Sequence, residues 1–325
     1  MWRVAAMAAP TKLGFSAPIL TSCFDPHLTI ATTGGSTPDC RLFRRRYPEP
    51  DSFSGGGAFG SFGVRFREGK LRIGRRARTS LSALMLPENP LARDVLATAI
   101  SGSVALSLLR FWEETARRGL FDQKLNRKLV HISIGLVFML FWPLFSSGIQ
   151  GAVLASLIPG VNIMRMLLLG LGIFKDEDTV KSMSRFGDYR ELLKGPLYYA
   201  STITFVCVFY WRTSPIAIAA ICNLCAGDGL ADIVGRRFGS HKIPYNRSKS
   251  FAGSVAMAVA GFMSSIGYMH YFSLFGYMRE SWEMVFAFLV VSLVTALIES
   301  LPISSELDDN LTVPVASVLL GSFVF

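Results

Sequence analysis

Between residues 91 and 325 the chain carries eight apolar segments, near 95–112, 129–148, 149–172, 196–211, 214–234, 251–275, 284–301 and 311–325. They are continuous blocks rather than amphipathic stripes, and about 20 consecutive apolar residues is the length that crosses a bilayer. Composition agrees: 51% of residues are hydrophobic and 17% charged, too apolar for the two soluble domains that 325 residues would otherwise suggest. The implied fold is an all-α polytopic membrane protein of seven or eight spans. The eighth is doubtful on length alone, since fifteen residues rise only about 22 Å against a hydrocarbon core of about 30 Å.

The first 80 residues differ in kind. They hold thirteen Lys and Arg against five acids, so most of the formal net charge of +10 sits there. Rich in Ser, Thr, Gly and Arg, poor in acids and without a secretory apolar core, this stretch has the character of an organellar transit peptide. The first forty residues are rich in Ser, Thr and Pro and poor in Arg, which favours chloroplast over mitochondrion. The expected division is a transit peptide over 1–80, its boundary at about 60–85, and a membrane domain over 91–325. With few Lys and little aromatic interleaving, the leader is a poor nucleic-acid arm, and no nucleic-acid partner is expected.

If all eight segments span, loops 113–128, 173–195 and 235–250 share one face and hold five cations each, whereas the opposite loops hold only Arg212 and Arg279. Such a bias predicts one charged face, stromal if the positive-inside rule carries over to an imported protein. The acids within apolar segments cluster toward that face: Asp228 and Asp232 in the fifth, Glu299 in the seventh, with Asp308 and Asp309 in the loop after it. An acid at the bilayer centre costs about 2.5–3.5 kcal/mol, so an idle pair is not expected.

Asp228 and Asp232, spaced i, i+4, project the same way and could share a Mg²⁺ ion, which needs only one or two carboxylates beside phosphate and water. A proton or ion relay explains the acids equally well. The following stretch favours phosphate: Arg236 and Arg237 offer planar forks, Lys242 and Lys249 point charges, and Gly235, Gly239 and Gly253 close backbone approach. Lys249 and Ser250 stand at the start of the next apolar segment, where free N–H groups favour an anion. Arg127, Lys128 and His131 open the second segment as RKLVH, readable either as an interfacial anchor or as further phosphate ligands. Cys222 and Cys225 lack a second ligand pair and read as packing residues. Arg165, alone in the third segment, reads as snorkelling or paired. No P-loop, kinase catalytic loop, HExxH or GxSxG is present.

The strings RKLVHISIGLVFMLFWPLFS, ELLKGPLYY, CAGDGLADIVGRRFGSHKIPYNRSKSFAGS and ESLPISSELDDN together resemble the plant chloroplast polyprenol kinases, the phytol kinase and farnesol kinase group, nearer the farnesol branch. The resemblance covers about residues 90–325. It implies phosphoryl transfer, typically from CTP, to an isoprenoid alcohol such as farnesol, geranylgeraniol or phytol, in prenol salvage or tocopherol precursor supply, at a chloroplast membrane, the envelope ahead of the thylakoid. It supports a nucleotide site over Asp228, Asp232 and residues 236–254, and CTP rests on the resemblance alone. In that site Mg²⁺ would lie on Asp228 and Asp232, the phosphates on Arg127, Lys128, Arg236, Arg237, Lys242, Lys249, Ser250 and Gly253, and the alcohol near Glu299, with Asp309 second. Two other classes stay open. A phosphatidate cytidylyltransferase would share acids, Mg²⁺ and CTP, and an ion-coupled transporter would need an inverted repeat, of which no repeated motif gives a sign.

Overall fold

The structure, a computed structural model, describes residues 87–325. The transit-peptide reading of 1–80 lies outside the described residues. Helix α1 (Pro90–Arg117) starts where Asn89 accepts a hydrogen bond from the Leu91 amide (2.9 Å) and Pro90 fits the first turn. Helices α2 (Gln123–Leu140), α3 (Ile149–Gly170), the short α4 (Glu177–Met183) and α5 (Gly195–Phe209) follow. The fifth apolar segment is composite: α6 (Pro215–Cys222), a π-helical turn Asn223–Asp228, then α7 (Gly229–Phe238). Helices α8 (Phe251–Leu274), α9 (Trp282–Ser300), α10 (Pro302–Glu306) and α11 (Asp309–Val324) complete the chain. Among the described residues seven helices are long and apolar enough to cross a membrane, and the eighth, Asp309–Val324, is shorter.

Part of the stretch 235–250, read from sequence as a loop, has structure of its own. Helix α7 runs on to Phe238, and β1 (Lys242–Ile243) pairs antiparallel with β2 (Asn246–Ser250). Asn246 pins this ribbon to the end of α9, its side-chain amide donating to the carbonyls of Ser300 (3.1 Å) and Leu301 (3.2 Å).

The two ends of the bundle are built differently. At one end Trp142, Phe145, Trp211 and Phe272 close the core, and buried Arg212 donates to the carbonyls of Trp142 (3.1 Å) and Phe145 (2.5 Å) with its guanidinium 4.0 Å from the Tyr277 ring centre. At the other end polar groups tie the helices. Arg165 on α3 bridges Glu113 on α1 (3.0 Å) and Asp176 before α4 (2.9 Å), so it is paired within the protein. Through the middle runs the span Pro215–Phe238, with 78% of its most apolar stretch buried against 11% for α1. Most residues of that stretch, Asp228 among them, therefore face protein.

Close packing gives the glycines a reason besides phosphate approach. A Cβ on Gly253 would stand 3.0 Å from the Ala231 carbonyl, and one on Gly239 would lie 2.1 Å from that of Gly235. Glycine here lets α7, β2 and α8 touch.

Exposed positions report the sidedness of the loops. In a background without native cysteines, single cysteines at Lys181 and Ser240 should react together with an impermeant thiol reagent in sealed vesicles, and one at Thr213 only after permeabilisation. Any other grouping contradicts the single charged face.

Candidate active site

Cations from all three basic loops converge on one cavity of about 590 Å³. Lys124, Arg127 and Lys128 come from α2, Arg185 and Lys194 from the segment between α4 and α5, Arg236 from α7, and Lys242 and Lys249 from the ribbon. Five acids share the lining: Asp228, Asp232, Glu299, Asp308 and Asp309. A net positive, partly enclosed cavity of this volume suits a polyanion with a metal counter-ion.

Asp228 is its deepest acid. It ends the π turn, is 2% exposed, and accepts from Lys128 Nζ at 2.6 Å, with His131 Nε2 at 3.3 Å from the same oxygen. The π turn offers its Leu224 carbonyl to His131 Nε2 at 2.8 Å, which requires that nitrogen to carry a proton. Such one-turn π segments are frequent at functional sites.

Carboxylate oxygens of Asp228, Glu299 and Asp309 all lie within 4.8 Å of one another. Lys249 binds the latter two, donating to Glu299 and to Asp309 (2.8 Å). Burial alone would lower the Lys249 pKa, but the charges of Asp309 and then Glu299 outweigh it and raise the pKa above its ordinary value. The side chain of Ser304 also donates to Asp309.

This grouping differs from the Asp228–Asp232 pair expected from the i, i+4 spacing. Asp232 lines the same cavity but is a third exposed and pairs with Arg236 one turn on, at 2.8 Å. Asp228 is drawn inward by buried Lys128, so each acid of the pair has its own cation. Arg237 does not line the cavity: one residue past Arg236, it is turned by about 100° around the helix and lies exposed, 5.7 Å from the Phe238 ring centre. Ser250 caps α8 by accepting from the Gly253 amide (3.2 Å), and both line the cavity with Lys242 and Lys249.

Asp308, which the sequence placed among the acids near the charged face, completes the lining with Lys124, Arg185 and Lys194, which no motif singled out. The cations lay among the fifteen of the basic loops, but no spacing marks them, since only the packing of helices distant in sequence unites them. Asp308 has a backbone signature. Its φ of +66° is unusual for a residue with a Cβ, and its side chain accepts from the Asn310 amide N–H (3.0 Å) to cap α11.

Comparison with curated proteins bears on what such a cavity serves. Over 240 residues the chain is 71% identical to probable phytol kinase 3, chloroplastic, of Glycine max, covering 74% of this chain and 75% of that protein. It is 64% identical to farnesol kinase, chloroplastic, of Arabidopsis thaliana over 248 residues, 76% of this chain and 81% of that one. The chain belongs to the phytol and farnesol kinase family. To phytol kinase 1, chloroplastic, of Arabidopsis thaliana the identity is 43% over 251 residues, 77% of this chain and 83% of that one, so the farnesol kinase of that plant is the more similar of the two. No family model matches the chain, and no solved structure matches it.

The Lys128–Asp228 pair, with side chains 5% and 2% exposed, makes a stability prediction. Lys128→Met leaves a buried carboxylate uncompensated and should cost about 3–5 kcal/mol, read as a lowered melting temperature in detergent. Adding Asp228→Leu should recover most of the loss, and a double variant no more stable than the single would refute the coupling.

Proposed function

We propose that this protein is a nucleoside-triphosphate-dependent kinase of isoprenoid alcohols, using CTP and Mg²⁺ to convert farnesol, geranylgeraniol or phytol to the monophosphate at a chloroplast membrane. The observation that carries the reading is the cluster of Asp228, Glu299 and Asp309 inside a cavity lined by eight cations. Farnesol and phytol enter from the names of the relatives, and so does the chloroplast. CTP and the envelope rest on the motif resemblance.

The donor set fits Mg²⁺: three hard carboxylate oxygens lie close enough together for one small ion, with room in the cavity for phosphate oxygens and water. When bound there, the ion would neutralise charge on the β- and γ-phosphates. Asp228, Glu299 and Asp309 would hold it, which gives Glu299 and Asp309 a metal role in place of the base role first suggested by sequence. The protein's own part is positioning and electrostatics. Arg236, Lys242 and Lys124 lie on exposed parts of the lining, where the nucleotide enters, and Lys128 and Lys249 lie deeper beside the acids. Fixed cations in a partly dry site stabilise the charge spreading over the transferring phosphoryl group.

Asp228→Asn, Glu299→Gln and Asp309→Asn should each lower prenol phosphorylation by on the order of 10²-fold or more, and Asp232→Asn by much less. Chelation should abolish turnover and added Mg²⁺ restore it. With γ-labelled CTP the prenol should acquire label, whereas label entering a lipid only from α-labelled CTP would make the protein a cytidylyltransferase, and no label from either would overturn the kinase reading. An Asp232 variant as damaged as the Asp228 variant would return Asp232 to the metal.

A further inference from the structure

A second, smaller cavity of about 50 Å³ adjoins the polar one and shares Arg127 with it. Its walls are apolar on most sides, from Leu109, Val130, Ile134 and Met183, with five polar side chains among them: His131 and Tyr199, whose Nε2 and hydroxyl are committed to the carbonyls of Leu224 and His131, and Arg127, Asn162 and Asn310. The last three each bury an atom without a hydrogen-bond partner, namely Arg127 Nε and the amide oxygens of Asn162 and Asn310. An orphaned buried polar atom is costly, and native proteins leave few of them. Three around one cavity specify what belongs in it.

The Asn310 amide can be oriented on chemical grounds. Its Nδ2 donates to a carboxylate oxygen of Asp308 at 2.7 Å, so its oxygen is the free end. The unpartnered buried atoms of the lining are therefore one N–H donor and two carbonyl acceptors. An anion would meet two repelling oxygens and a cation a guanidinium. A neutral hydroxyl, one donor and two acceptor sites, matches the set. The volume exceeds the roughly 10–15 Å³ a single water requires but falls short of a whole prenyl chain, so it suits an alcohol head with its first carbons.

We infer that this cavity seats the hydroxyl end of the substrate alcohol, an inference that rests on the phosphoryl-transfer reading above. Arg127 and the amide oxygens of Asn162 and Asn310 hold the oxygen, and the tail leaves between apolar helices. Asp308 stands at the passage to the polar cavity. A methyl group on Gly195 would lie 3.2 Å from Asn310 Nδ2, 3.8 Å from Asp308 Oδ2 and 4.0 Å from Arg127 Nη1, so these three groups converge on the bare face of that glycine. In the transfer the hydroxyl proton passes to the Asp308 carboxylate and the alcohol oxygen bonds to the γ-phosphorus. The bond from that phosphorus to the bridging oxygen breaks, its electron pair leaving on the nucleoside diphosphate.

The test uses the purified full chain in detergent, with equilibrium binding of tritiated farnesol, of the corresponding hydrocarbon lacking the oxygen, and of Mg·CTP. Asn162→Leu should weaken farnesol binding about tenfold, the scale of a lost buried hydrogen bond, while hydrocarbon and nucleotide binding stay within twofold. Gly195→Ala, which narrows the passage, should lower kcat with farnesol while sparing nucleotide binding. Unchanged farnesol binding in Asn162→Leu, or an equal loss for the hydrocarbon, overturns the assignment. Wild-type protein that binds farnesol through Asn162 yet transfers no label from γ-labelled CTP would overturn the kinase reading and leave the hydroxyl seat standing.

Discussion

Charge buried within a helical bundle has to be matched inside the protein, and this requirement organises the whole charged end of the molecule. Asp228 lies on the most enclosed helix and is met by Lys128 from α2. Glu299 from α9 and Asp309 from α11 are met by Lys249 from the ribbon. Two lysines thus join elements far apart in sequence at the spot where three carboxylates crowd together. The arrangement is more than cohesive. Apolar packing at this end would be as stable or more so, so clustered charge implies a use for it. The opposite end is held instead by aromatic rings around Arg212, which bonds backbone carbonyls rather than acids.

Two local departures from regular backbone lie at this charged end. The π turn ends at Asp228, and Asp308 adopts positive φ at the cap of α11. Both features cost energy relative to a plain helix or a relaxed cap, and both put an acid into the cavity wall. His131 on α2 holds the π turn from a neighbouring helix, and Asn310 in the first turn of α11 holds Asp308 locally.

The fold was legible because the bilayer imposes a length and a composition, and apolar blocks reveal both without knowledge of neighbours. The candidate site was legible in part. Acids in apolar segments and cations in alternate loops were visible, and of the candidate residues named from sequence for the phosphate and metal site, Arg237, Gly239 and His131 stand outside the polar cavity. The pairing of acids was not visible. Spacing of i, i+4 places two side chains on one face but says nothing of which cation each will meet, and Lys128, 100 residues from Asp228 in sequence, decides that. Asn162 and Asn310 were invisible as a pair for the same reason: an asparagine in an apolar segment gains meaning only when its amide oxygen proves unpartnered beside another. The glycines carry a second reason: Gly235 and Gly253 line the cavity, and the close approach of α7 and α8 requires glycine there as well.

An enzyme joining a polyanion to a lipid-soluble alcohol has to serve two substrates that belong in different solvents. On the proposed reading two adjoining cavities serve them, with one residue common to both, Arg127, which takes part in none of the ion pairs among the described residues. A guanidinium is suited to that boundary. Its planar fork can face phosphate on one edge while Nε faces a neutral oxygen on the other, which the compact ammonium of lysine cannot do. Leaving it without an acid partner keeps both edges free for substrates. On this reading the three unpaired atoms of the small cavity are partners held for the alcohol. The transferred phosphoryl group would then cross from a strongly charged compartment to a nearly neutral one within the reach of a single side chain.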